Sequence, residues 1–217
     1  MRSRGGFSIV ECLIAGALAL ASLACVWVFL FGCLRSFAGL SAAEQTHTEF
    51  LVLREYLARD TQQALTVVER ISLDGAGYQT TLGPTAETLV LQLPAVSAGG
   101  QAIAGVYDFA VYGTQEAQGG VASLTRRLFT NRDANGNPVI PAERSVRVEE
   151  SKILVRKLLR PQPDAAQVVA PLFTPTQSIV RLAREVVLTV TLQATESTYA
   201  RRTYPQTYTA RFRLRNG

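Results

Sequence analysis

The stretch Gly5-Gly6-Phe7-Ser8-Ile9-Val10-Glu11 leads directly into 23 uncharged residues, 12–34, in a chain of 217. A carboxylate near a membrane span costs about 2.5 kcal/mol or more at the helix centre, and less toward the ends, unless it finds a partner. Glu11 is therefore a candidate functional residue. The uncharged run exceeds the ~20 residues that cover ~30 Å of hydrocarbon at 1.5 Å each. Arg2 and Arg4 precede it, which by the positive-inside rule puts the N-terminus in the cytoplasm and everything after the run outside. Residues 1–6, ending in two glycines, read as a cleavable leader that a protease can hold extended.

Gly6-Phe7-Ser8-Ile9-Val10-Glu11 followed by an apolar helix resembles the cleavage and methylation signature of type IV pilins and type II secretion pseudopilins. The resemblance implies that a prepilin peptidase cuts after Gly6 and methylates the new amine of Phe7. It also implies that Glu11, the fifth mature residue, acts in subunit assembly. The physics of such a pattern is simple. Cleavage leaves a cationic amine four residues from a carboxylate, and charges in or near hydrocarbon need opposite charges or hydrogen bonds. Helix geometry makes that contact awkward within one chain, so the amine of one subunit and the carboxylate of its neighbour set the register between them. Two other readings of Glu11 stay open: an acid favoured by the helix dipole at an N-terminus, or an incidental residue of a plain signal anchor.

Beyond the span, residues 35–71 keep a helical rhythm. Phe50, Leu53, Leu57, Ala64, Val68 and Ile71 recur at spacings of three, four and seven and form one apolar stripe. Glu49, Arg54, Glu55, Arg59, Asp60 and Gln63 fall off it, with Glu55 and Arg59 placed as an i,i+4 pair. One helix from about Phe7 to about Val68 is expected, with Gly32 and Gly39 as its weak points. Residues 89–93, 107–112, 122–130, 145–159, 186–194 and 207–215 carry β-branched or aromatic runs with period-two character, bounded by Gly, Pro and Asn. They predict a one-faced antiparallel sheet. The stripe supplies the only remaining apolar face, so the fold class is α+β. A long N-terminal helix, transmembrane in its first half, packs by its second half on the sheet, an arrangement that is also the pilin architecture. The expected organisation is leader 1–6, span 7–34, amphipathic helix 35–71 and extracytoplasmic β-rich domain 72–217.

Residues 53–64 and the closing Phe212-Arg213-Leu214-Arg215-Asn216 are similar to segments of J-type minor pseudopilins and related minor pilins. The resemblance implies a structural minor subunit near a filament tip. Its partners would be the prepilin peptidase, other pilins or pseudopilins and the inner membrane. Cys12, Cys25 and Cys33 all lie in the apolar run, leaving the exported part without a disulfide. Major pilins commonly carry one, which favours a minor pilin or pseudopilin. Val28 stands where many pilins have a mid-span proline, and Cys12 where an aliphatic is usual.

No cofactor, metal or enzymatic activity is expected. The single histidine, His47, can build neither a triad nor a His-rich metal site. Asp133-Ala134-Asn135-Gly136-Asn137-Pro138 faintly resembles a calcium loop, but an Asn-Gly turn explains it more simply. Arg211, Arg213 and Arg215 share one face of the last strand, a candidate contact for a polyanion or partner. A solvated face guarding an edge strand fits them as well. The charge of +5 falls to +3 once the leader arginines go, with 20 Lys+Arg left against 17 Asp+Glu, so nucleic acid is not an expected partner. Prolines 161, 163, 171 and 175 predict a loop. The alternative reading is an exported protein held by a plain or lipid anchor. Ser22-Leu23-Ala24-Cys25 and Leu30-Phe31-Gly32-Cys33 both approximate a lipobox.

Overall fold

The computed structural model describes residues 8–81, 86–116, 121–144, 149–159, 172–175, 183–195 and 203–214. Contacts divide the chain into two compact units, residues 1–44 with 195–202, and residues 45–194 with 203–217. Helix α1, Ile9–Gln63, contributes to both. In the first unit its side chains face outward: Leu23, Trp27 and Phe29 are each 71% exposed. This segment has a mean hydropathy of 2.5 over an 18-residue window and is long and apolar enough to cross a membrane.

The second unit is an eight-stranded antiparallel sheet with the end of α1 packed on it. Its strands run β1 (Thr66–Val67), β4 (Leu89–Val96), β5 (Ala102–Glu116), β6 (Val121–Arg132), β7 (Glu149–Leu159), β9 (Glu185–Thr195) and β10 (Thr203–Arg213) in spatial order, with β8 (Phe173–Pro175) paired to β9. Strands β2 (Arg70–Leu73) and β3 (Ala76–Gln79) form a separate hairpin. All six expected strands are present; residues 145–148 and 215 of those runs lie outside the described residues.

Phe50, Leu53 and Leu57 of α1 meet Leu89, Leu91, Leu93, Ala110, Tyr112, Leu124, Val155 and Leu188 in one core. Leu53 and Leu57 are fully buried, so truncating either to alanine costs about 2–5 kcal/mol. On the other side of the sheet Val90, Phe109, Val111 and Phe129 pack on Ile71 and Leu73 of the hairpin. Strands β4 to β6 are therefore buried on both faces, which is why Leu89-Val90-Leu91 reads as a continuous apolar run. Along β9 the expected alternation holds for Leu188, Val190 and Leu192, buried, against Val187 and Thr189, partly covered, but Thr191 of the polar face is buried as well, at 7% exposure.

The helix ends earlier than its periodicity suggested. It stops at Gln63, not near Val68 or Ile71, because the β-branched run Thr66-Val67-Val68 is taken by β4. Leu65 N–H donates to Gln92 O at 2.8 Å and Val68 N–H to Val90 O at 2.8 Å. Ile71 then belongs to β2 and to the second cluster. The hairpin turns on Asp74 and Gly75, at φ 52° and 80°. Positive φ at both central residues is the type I′ pattern that Asp-Gly favours. Pro175 is a strand residue, opposite Val186, rather than part of a loop. It sits in a three-residue strand that among the described residues pairs on one side only, with β9, where a missing N–H is tolerated. Prolines 161, 163 and 171 lie outside the described residues.

Candidate functional site

The first site is the helix entrance. Ser8 precedes α1, and its hydroxyl accepts from Val10 N–H at 3.3 Å. The Glu11 carboxylate reaches back to accept Ser8 N–H at 3.0 Å. Ser8 is an N-cap residue, and the return of the Glu11 side chain to its N–H is the glutamate half of a capping box; the Ser-x-x-Glu pattern was legible in the sequence and missed there. Glu11 thus has a local partner within its own chain, at the start of a helix whose next side chains, Leu13 and Ile14, are 68% and 56% exposed. Gly6 and Phe7, the cleavage and methylation positions, lie outside the described residues. Cys12 and Cys25 are exposed and Cys33 is partly covered.

A second constellation fastens α1 to the sheet. Asp60, expected on the polar side of the helix, is 1% exposed. Its carboxylate accepts from Arg126 Nε at 2.6 Å, from Arg126 Nη2 at 3.1 Å and from the Tyr112 hydroxyl at 2.7 Å. The three residues are brought together from α1, β6 and β5. Burial pushes the Tyr112 phenol well above its ordinary value, and the Asp60 charge and hydrogen bond push it the same way. Desolvation works against the Arg126 charge, yet the bonds and charge of Asp60 outweigh it and raise its pKa. Arg59 turns toward Asp60 at 3.6 Å and stacks over the Tyr56 ring. At the other end of the buried helix segment, the Thr46 hydroxyl donates to Gln206 Oε1 at 2.7 Å, and Phe50 stacks on Tyr208 with centroids 4.6 Å apart. His47 lies beside the same Tyr208 ring at 6.0 Å.

The Asp133 to Asn137 segment is a turn closed on itself. Asp133 Oδ1 accepts from the N–H groups of Asn135 and Asn137, at 2.9 and 2.8 Å, and Oδ2 accepts from Asn137 Nδ2 at 2.9 Å. Those bonds, the Asn137 side chain first, hold the Asp133 carboxyl below its ordinary value. Both oxygens serve the turn. Behind it Arg132, fully buried, takes Asp74 at 2.6 Å and Glu149 at 2.8 Å, tying the β2–β3 hairpin to the sheet.

Arg211 and Arg213 are exposed on β10, opposite the buried Phe212 and Leu214, as the alternation implied; Arg215 lies outside the described residues. Among the described residues no group of three His, Cys, Asp or Glu is placed to hold a metal. No family model, curated protein or solved structure matches this chain.

Proposed function

We propose that this chain is a structural subunit of a membrane-derived filament, a minor pilin or pseudopilin. In this reading a prepilin peptidase cuts it after Gly6, methylates Phe7, and leaves the mature chain anchored in the inner membrane until it is drawn into a pilus or pseudopilus. The anchor is single-pass, with the β-rich unit on the periplasmic side. The observation that carries the proposal is a carboxylate, Glu11, at the start of a helix that contains an exposed 18-residue window with a mean hydropathy of 2.5. Such a group is unfavourable in lipid unless it serves a partner. The α+β arrangement, with a β-sheet on the C-terminal part of the same helix, supports it.

The capping box favours a second reading, in which Glu11 only starts the helix of a plain or lipid-linked anchor. Glu11→Gln separates the two, because glutamine still caps but carries no charge. A filament subunit loses incorporation into sheared filaments on Glu11→Gln as on Glu11→Ala. If the glutamine variant assembles like the parent, the assembly role falls and the cap remains.

A further inference from the structure

The Asp133 to Asn137 turn carries a reactive pair, Asn135-Gly136, that the filament reading leaves unused. In an Asn-Gly step the glycine nitrogen can attack the preceding carboxamide, because the glycine has no Cβ to shield it. Asn135 is exposed, whereas Gly136 is buried. Asp133 O accepts from Gly136 N–H at 3.0 Å, and Asp133 N–H donates to Asn137 O at 2.9 Å. Among the described residues, Asp74 and Asn131 are the non-glycines with positive φ, so the central pair of this turn, Ala134 and Asn135, has negative φ. A turn closed by that first bond with both central φ negative is type I, and its second central residue, here Asn135, has ψ of about 0°. Gly136 follows at φ 90°, completing a type I turn with a G1 bulge.

That backbone holds the pair apart. Attack closes a five-membered ring through Gly136 N and Asn135 Cγ, which forms only when Cβ and that nitrogen are nearly eclipsed about the Cα–C bond. With ψ near zero the backbone nitrogen of Asn135 eclipses it instead, and Cβ stands one tetrahedral position away. Rotation to the reactive geometry breaks the Gly136 to Asp133 bond and swings a peptide that lies against β2, where even an added Cβ would meet Ser72 O at 2.3 Å. The Asp133 carboxylate resists it, since Oδ1 accepts from the N–H groups of both Asn135 and Asn137. We infer that Asn135 is a deamidation site locked by the folded turn and released when the turn opens. In the open turn Gly136 N gives up its proton and bonds to Asn135 Cγ; the Cγ–Nδ2 bond breaks and the nitrogen leaves as ammonia with that proton. Water then opens the succinimide at either carbonyl, giving aspartate or isoaspartate. Each product adds a negative charge, and isoaspartate lengthens the main chain by a methylene that the contact with β2 leaves no room for. A chain whose turn has opened is thereby marked. The inference is independent of the filament reading.

The test holds the full chain in detergent at mildly alkaline pH and follows the amide-to-acid exchange at residue 135 by mass spectrometry with fragmentation, which assigns the site. The folded parent is expected to react at least about tenfold more slowly than the same chain in urea, because its rate scales with the fraction of open turn. Asp133→Ala removes the bonds to Oδ1 and Oδ2 and raises the folded rate at least about tenfold, while in urea the two chains react alike. Circular dichroism checks that the variant folds. If it does not, Asn137→Ala, which removes the bond of the Asn137 side chain to Oδ2, serves in its place and must still raise the folded rate. A folded parent that reacts as fast as the unfolded chain overturns the inference. So does a folded variant that reacts no faster than the parent.

Discussion

Gly136 has φ +90°, and a Cβ built on it lies 2.3 Å from Ser72 O, 3.0 Å from Ile71 Cγ1 and 3.1 Å from Leu73 Cδ2. The nearest atom is backbone of β2, held in place by the Ser72 to Gly77 pairing of the hairpin. Gly136→Ala therefore adds two costs. A non-glycine residue in the left-handed region costs about 1–2 kcal/mol. Forcing a methyl into packed surroundings costs about 1–3 kcal/mol more. Together they give about 2–5 kcal/mol, which for a chain of this size lowers the melting temperature by roughly 5–15 °C. Thermal unfolding of the full chain in detergent, followed by near-UV circular dichroism, reads the shift. Gly100→Ala is the control, because Gly100 has φ +80° with nothing within 4 Å of the added Cβ. It carries only the backbone cost, about 1–2 kcal/mol. If the two variants melt together, the 133–137 turn does not pack on the hairpin and this part of the fold is wrong.

Three further outcomes are expected. Asp60→Ala leaves the Arg126 guanidinium, 2% exposed, without its main partner and destabilises by about 3–5 kcal/mol, whereas replacing the whole triad, Asp60→Leu with Arg126→Met and Tyr112→Phe, is close to neutral because no buried polar group is left unpaired; urea titration of both variants checks the contrast. The Tyr112 phenol, raised above its ordinary value of about 10, contributes stability that is fully present below pH ~10 and is lost as pH rises through its folded value. In absorbance at 295 nm one tyrosine should resist ionisation until the fold opens, and Tyr112→Phe should remove that late phase. Asp133, held below its ordinary value by the turn, should show that lowering by carboxyl NMR, and Asn137→Ala should move it back up.

The parts of this fold written in local pattern were legible. The helical stripe of Phe50, Leu53 and Leu57 and the alternation in 186–194 each report which face is buried. The hairpin was hidden although Asp74-Gly75 is a strong local turn signal, because the three-and-four spacing continues by coincidence through Val68 and Ile71 and masks the change of element. Asp60 was misplaced for a different reason. Its partner Arg126 lies 66 residues away, and no local rule shows that a charged helix residue will be satisfied from a strand. Arg132 and Asp74, 58 residues apart, hold the second face of the sheet in the same way. Of the N-terminal site, the Ser8 and Glu11 pair follows from four residues of sequence. The proposed contact of Glu11 with a second chain involves two molecules and so leaves no further local pattern in one sequence.

Intact-mass analysis of the mature protein, purified from membranes of cells containing a prepilin peptidase, bears on the proposed identity with the fewest intermediate assumptions. A chain beginning at Phe7 and carrying one methyl group is the expected species. A chain still bearing residues 1–6, or one beginning at a lipid-modified Cys25 or Cys33, would contradict it.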